Sequence, residues 1–249
     1  MEAARQGATA HLVMPCFNER SRLAVDEICS LISDERVSLV MVDDGSTDGT
    51  LELLRALERD AHDISVIALP ANVGKGEAVR AGLTSALSAM PAWVGYVDAD
   101  MSTPALEVLR LLDLAQATDR FDVVFGSRVA MLGRHVQRSP FRHYAGRVFA
   151  TLASLVLDRV IYDTQCGAKL FRRTEALHHS ISLPFRSRWA FDVELLGRLH
   201  AAGVDPSRFW EEPLQVWRDA DGSRRSVAAS VRATASLLPI WRDLRAARR

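Results

Sequence analysis

Lysine is almost missing from this chain. Of its 31 basic residues only Lys75 and Lys169 are lysines, so both positions stand out against an arginine background. Cysteine is scarce as well: Cys16, Cys29 and Cys166 are far apart and odd in number. That excludes a disulfide framework or a cysteine-built zinc cluster and suits reduced thiols. No run of 18 or so apolar residues occurs, so no transmembrane helix is expected. The opening MEAARQGATA is polar and lacks the apolar stretch of a signal peptide. Net charge is missing too, with 31 basic residues against 31 acidic ones, so no global field recruits nucleic acid. A cytoplasmic protein is expected, one that meets a membrane only peripherally, on its inner face.

What remains is an ordinary globular composition. The chain has 249 residues, 48% hydrophobic and 25% charged, enough for one large domain with a full core. Short apolar runs alternate with helical patterns through the first half: HLVMP, RLAVDEICSLIS, VSLVMVDD, TLELLRALERD, ISVIALP, GEAVRAGLTSALSAM, WVGYVDAD, ALEVLRLLDLAQ, DVVFGSR. That alternation predicts an α/β fold with a mostly parallel, doubly covered, Rossmann-like sheet. Runs such as SLVMV are continuously apolar, as strands buried on both faces are. The second half is less regular. Phe141, Tyr144, Val148, Leu152 and Leu155 recur at helical spacing, WAFDVELLGRLHAAG reads as a helix closed by Gly203, and FWEEPLQVW reads as a strand. The tail is an amphipathic helix expected to break near Pro239. One domain over 1–249 is expected: a nucleotide-binding half to about residue 128, an acceptor half to about 225, and the tail.

Ligands of open parallel sheets bind beyond the carboxyl ends of the strands, and polar residues gather there. The first strand runs into PCFNE, the second into DDGSTDGT, the fourth into DADMSTP and the fifth into GSR. Glu19, Asp43 and Asp44 offer acceptors for ribose hydroxyls or a base edge. Taken alone, DDGSTDGT reads equally well as a turn and helix cap. Asp98 and Asp100, at i and i+2 of an extended segment, share a face and repel. The pair suits a hard divalent cation, Mg²⁺ or Mn²⁺, that neutralises a departing diphosphate; its plainer reading is a cap on the next helix.

In this order, PCFNE, VDDGSTDGT, NVGKGEAVRAG, DAD and GSR resemble glycosyltransferase family 2. DTQCGAKLF, RWAFDVELL and DGSR narrow the resemblance to the dolichyl-phosphate β-glucosyltransferases. The likeness runs from about His11 to Arg225. It implies a GT-A fold and an inverting, metal-dependent transfer of a hexose, glucose or GlcNAc, from a UDP-sugar to a polyprenyl phosphate. Carried over by position, Pro15, Phe17, Glu19 and Asp43 line the nucleotide pocket, and Asp98, Ala99 and Asp100 make the metal and ribose-diphosphate contact. Arg128, Arg218 and Arg224 reach the diphosphate, the last two from a closing loop, WRDADGSRR. Lys75, between two glycines, is expected to touch the donor. Where the mannosyl enzymes commonly place Gln as a further metal ligand this chain has Ser102, which points away from GDP-mannose.

An ionised acceptor phosphate needs cations rather than a base, and Arg134, Arg138, Arg142 and Arg147 supply them, with Trp189 as a further acceptor contact. A hydroxyl or amine acceptor, soluble or carrier-bound, needs a carboxylate to take its proton; Asp192 is the candidate. Asp192 and Asp100 are therefore the expected catalytic residues. A catalytically silent binding module of the same fold would have lost the acidic pair or the loop. Adjacent His178 and His179 point apart and are expected at the surface.

Overall fold

β-branched and long aliphatic residues dominate the strands and leave both of their faces apolar. β1 (Ala10–Cys16), β2 (Val37–Asp43), β4 (Trp93–Val97) and β5 (Val123–Ser127) are buried along nearly their whole length. The computed structural model describes residues 8–136, 140–218 and 234–247. β3 (Ile64–Ala68), β7 (Ala168–Arg172) and β8 (Phe209–Pro213) complete a seven-stranded sheet of order β3-β2-β1-β4-β7-β5-β8. Every pairing is parallel except those of β7, which runs antiparallel to both β4 and β5. A two-stranded ribbon joins β6 (His135–Val136) to β9 (Val216–Trp217).

The pleat sends alternate side chains to opposite cores. On one face Leu12, Met14, Leu39 and Met41 meet α1 (Val25–Ile32), α2 (Thr50–Asp60) and α4 (Ala105–Gln116) through Ile28, Leu31, Leu54, Val108 and Leu111. On the other, Val13, Val40 and Val42 meet α3 (Lys75–Ser88) and α7 (Phe191–Ala201). α5 (Pro140–Leu157), α6 (Glu175–Ile181) and α8 (Leu237–Ala247) complete that layer. Each buried Leu or Val contributes about 1.5–3 kcal/mol, so the central strands are rigid supports for the loops at their ends.

One sequence expectation changes: FWEEPLQVW is not one strand but divides into β8 and β9, which belong to different sheets. The tail does break near Pro239: helical residues 234–235 give way to a turn at Ser236, and α8 begins at Leu237 with Pro239 in its first turn, where its missing N–H costs nothing. The face that α8 buries is Leu237, Ile240 and Leu244, while Leu238 stays exposed. Gly197 of α7 receives Leu244 so closely that a Cβ there would lie 2.2 Å from its Cδ1.

Candidate active site

Parallel register brings the ends of β1 and β2 level, with Cys16 opposite Asp43. The loops leaving them are stitched together. Asn18 N donates to Ser46 Oγ at 3.0 Å, Thr47 N to Asn18 Oδ1 at 2.9 Å, and Glu19 N to Thr50 Oγ1 at 2.9 Å. The second acid of VDDGS braces a neighbouring loop, since the Asp44 carboxylate accepts from Val73 N, Gly74 N and the Asn72 amide at 2.7–3.0 Å. Arg188 holds the same 72–74 loop from outside through the Asn72 and Val73 carbonyls. Gly74 opens α3 at φ +100, a conformation a side chain would resist, and it aims Lys75 at the acidic strand ends.

Four carboxylates meet there. Lys75 Nζ pairs with Asp98 Oδ1 at 2.5 Å. Asp98 lies against Gly167, where a Cβ would come within 2.0 Å of Oδ2, so only glycine leaves room for the carboxylate. Asp100 Oδ1 accepts from Ser102 N at 3.0 Å, and the Ser102 carbonyl accepts from Arg218 N at 3.0 Å. The loop carrying the acids thus anchors the residue that leads into WRDADGSRR. Glu19 Oε1 pairs with Arg22 at 2.5 Å. Burial raises the Glu19 pKa; Arg22 opposes that, while Asp100 and Asp98 add to it. Burial, then the charges of Glu19 and Asp43, push the Cys16 thiol far above its usual range. Two acceptors here are buried with no protein partner, Asp43 Oδ1 and Glu19 Oε2. Buried oxygens left this way are costly unless something binds them.

This rim of acids, beside an exposed Phe17, lies beyond the carboxyl ends of parallel strands, where open sheets of this kind bind ligands. Residues 11–177 match the family model described as glycosyl transferase family 2. The chain belongs to this family. Among its curated relatives is the dolichyl-phosphate beta-glucosyltransferase of Homo sapiens, 35% identical over 92% of this chain and 70% of the relative. The enzyme of the same name from Saccharomyces cerevisiae is 30% identical over 87% of this chain and 69% of its own. Among solved structures, the mannosyltransferase PcManGT from Pyrobaculum calidifontis, in complex with GDP-Man and Mn2+, superposes with a TM-score of 0.60. It is 18% identical over 96% of this chain and 68% of that one. S. aureus TarS 1-349 in complex with UDP superposes at 0.52, 17% identical, over 92% and 70%. These likenesses establish the GT-A fold, and family and relatives together make the protein a hexosyltransferase.

Other residues named from sequence take different places in this glycosyltransferase. Arg128 does not stand free at the end of β5. Asp163 of DTQCG binds it in a fork, Nε to Oδ2 at 2.6 Å and a terminal nitrogen to Oδ1 at 2.7 Å, with Trp217 stacked at 5.4 Å. Burial alone would depress the guanidinium, but Asp163 overcomes it and keeps the group protonated. Asp192 is equally engaged. Its Oδ1 accepts from Lys169 Nζ at 2.8 Å and from the Tyr96 hydroxyl, and its Oδ2 from the Gln165 amide at 3.2 Å. Lys169 is fully buried and also donates to the Cys166 carbonyl at 2.5 Å. The second lysine of the chain is therefore the counter-ion of the candidate base. Burial, then Asp192, pushes the Tyr96 hydroxyl pKa well up.

Pro15 is the next-to-last residue of β1, and Ala99 is buried two residues past the end of β4. Trp189 is about half exposed, just before α7, and Arg134 is partly buried ahead of β6. Arg147 stacks on Tyr162 at 3.9 Å and donates to its carbonyl, which ties it into the fold. Arg138 and Arg224 lie outside the described residues, as does the side chain of Arg142. Cys166 is buried and its thiol raised by that burial, as a packing residue would be. His178 and His179 are exposed on α6. Among the described residues no group of three or more His, Cys, Asp or Glu side chains is placed to hold a metal ion. Asp98 and Asp100 are oxygen donors of the kind a hard cation takes together with phosphate and water.

Proposed function

We propose that this protein transfers glucose from UDP-glucose to a polyprenyl phosphate with inversion at the anomeric carbon. The observation carrying this reading is the acidic rim with its two unpartnered oxygens, in a chain 35% identical to a dolichyl-phosphate beta-glucosyltransferase. Asp43 Oδ1 accepts from the uracil or a ribose hydroxyl, and Phe17 offers its exposed ring to the base. Asp98 and Asp100 are the residues that would hold Mg²⁺ or Mn²⁺. Bound there, the cation supplies charge neutralisation for the departing diphosphate. Lys75 adds a second positive charge, and Arg218 and Arg224 are assigned to the diphosphate. UDP-GlcNAc is the alternative donor.

The acceptor phosphate is ionised at neutral pH. One of its oxygens attacks the anomeric carbon opposite UDP; the bond to the β-phosphate oxygen breaks, and its electron pair leaves with UDP. No proton moves, so no base is needed. The Asp192 environment favours this over a hydroxyl or amine acceptor, because the carboxylate is buried and both of its oxygens are already engaged inside the protein, by Lys169, Tyr96 and Gln165. Arg134, Arg138 and Arg142 are assigned to the charge of the acceptor phosphate, and Trp189 to a further acceptor contact.

The test offers radiolabelled UDP-glucose and UDP-GlcNAc with citronellyl phosphate, a soluble short prenyl phosphate, to the wild type and Asp192→Asn below their melting temperatures. Glucosylated phosphate from both proteins is expected. A protein that binds UDP but gives no lipid-linked sugar from either donor overturns the acceptor assignment.

A further inference from the structure

Lys75 stands between two glycines, and the space beside each is taken by the segment that leads into α7. A Cβ on Gly74 would lie 2.4 Å from Arg188 Nε, and one on Gly76 would lie 2.9 Å from the Phe191 Cβ and 3.1 Å from the Ser187 carbonyl oxygen. Glycine at both positions is what lets residues 187–191 pack directly on the start of α3. No described side chain caps that helix. Instead Gly76 N, one of the first-turn donors that a helix leaves without an internal partner, reaches the Arg188 carbonyl at 3.3 Å. A stretch from the second half of the chain thus completes the turn that carries the lysine.

The Arg188 side chain closes the contact from outside. Its Nε donates to the Val73 carbonyl at 3.0 Å, and one terminal nitrogen donates to the Asn72 carbonyl at 2.7 Å and to Asn72 Oδ1 at 2.6 Å. The Asn72 amide nitrogen donates in turn to Asp44 Oδ2 at 3.0 Å, so Asn72 is held between the strand-end acid and the arginine. The base from which Arg188 reaches is itself fixed. Phe185 N donates to Glu77 of α3 at 2.6 Å, Arg186 N to Glu194 of α7 at 2.9 Å, and Ser187 Oγ to Ser236 Oγ at 3.0 Å, just ahead of α8. Arg188 is exposed, and holding so long a side chain in one geometry costs rotamer entropy. What that geometry secures is a single short loop, the one that ends at Lys75.

We infer that Arg188 is a positioning residue for sugar transfer: clamping residues 72–76 against Asp44, it sets where the Lys75 ammonium meets the donor diphosphate. The inference rests on the reading that Lys75 contacts the donor. A turn with glycine on both sides of the lysine is free to move unless something holds it, and a misplacement of about 1 Å in a reacting site can cost about a hundredfold in rate. With the clamp in place Lys75 Nζ lies 2.5 Å from Asp98 Oδ1, among the strand-end acids.

UDP binding to the full chain is titrated calorimetrically with Mn²⁺ for wild type, Lys75→Ala, Arg188→Ala and the double variant, with a melting curve for each. Lys75→Ala is expected to weaken binding about tenfold and Arg188→Ala about fivefold, while the double variant is within about twofold of Lys75→Ala, because a positioning effect disappears with the group it positions. Arg188→Lys should behave more like the alanine variant than like wild type, since an ammonium lacks the planar fork; it is read in place of Arg188→Ala if that variant melts far below the others. Arg186→Ala cuts an ion pair from the same segment to Asp243 and should bind UDP as wild type does. Unchanged affinity in Arg188→Ala beside a weakened Lys75→Ala overturns the inference and leaves the lysine its donor role. Losses that multiply in full also overturn it, because Arg188 would then act independently of Lys75. Unchanged affinity in Lys75→Ala, or a wild type that does not bind UDP, removes the donor reading and this inference together.

Discussion

Gly167 and Asp98 show how tightly single residues are specified in the site. A methyl group at 167 would occupy the space of an Asp98 oxygen, and what it meets is the end of a side chain rather than backbone. Gly167→Ala is therefore expected to swing the carboxylate away, cutting turnover at least about tenfold, equivalent to about 1.4 kcal/mol of transition-state stabilisation, with little change in melting temperature. Turnover and thermal unfolding on the same preparation check this. Asp100→Ala should abolish transfer and leave the fold intact, since the backbone N–H of Ser102 that it caps lies in a loop. Lys169→Met acts in the opposite way. It leaves Asp192 buried without its counter-ion, a change that costs about 3–5 kcal/mol, so a large fall in urea midpoint is expected. Asp192 is legible in the sequence as an acid on a helix. Its partners are not, because Tyr96 and Lys169 lie far from it along the chain and no local pattern ties a strand tyrosine to a helix aspartate. The rarity of lysine is the one signal that points to them. Arg128 and Asp163 make the same point: each is an ordinary charge in its own motif, and only the fold joins them in a fork.

Among the elements, the central strands are readable because burial on both faces demands an unbroken apolar run, and that run is visible. Direction is not readable, since a short strand such as AKLFR carries no mark of which way it will lie; β7 enters antiparallel between two strands of the first half. The division of FWEEPLQVW is hidden for a related reason. Leu214 and Gln215 carry the chain from β8 to β9, and neither is a turn residue that would mark the break. The tail helix α8 buries Leu237, Ile240 and Leu244 and leaves Leu238 exposed, a choice between adjacent leucines that only packing decides. Leu244→Ala removes the knob that fills the hollow at Gly197 and should cost about 2–5 kcal/mol. Guanidinium unfolding of the full chain checks this, with an unchanged m-value showing that the unfolding transition is the same.

For the molecule as a whole, the acids at the strand ends make stability depend on pH. Burial raises the pKa of Glu19 and of Glu211 in the folded state, so between the unfolded and folded values the folded chain holds more protons than the unfolded one. Stability therefore falls as pH rises through that window, just above the ordinary carboxylate range. Glu19→Gln should flatten its share of this slope in a series of melting curves. The sheet order has another consequence, for synthesis. A ribosome that has delivered residues 1–128 has made β4 and β5 but not the strand that belongs between them, which arrives only at Ala168–Arg172. Until then the nascent chain carries two unsatisfied ladders of backbone donors and acceptors, the kind of edge that pairs with the wrong neighbour. Residues 1–128, although contiguous in sequence, cannot close this sheet by themselves, and shortening the gene to that half would yield aggregate rather than a soluble fragment.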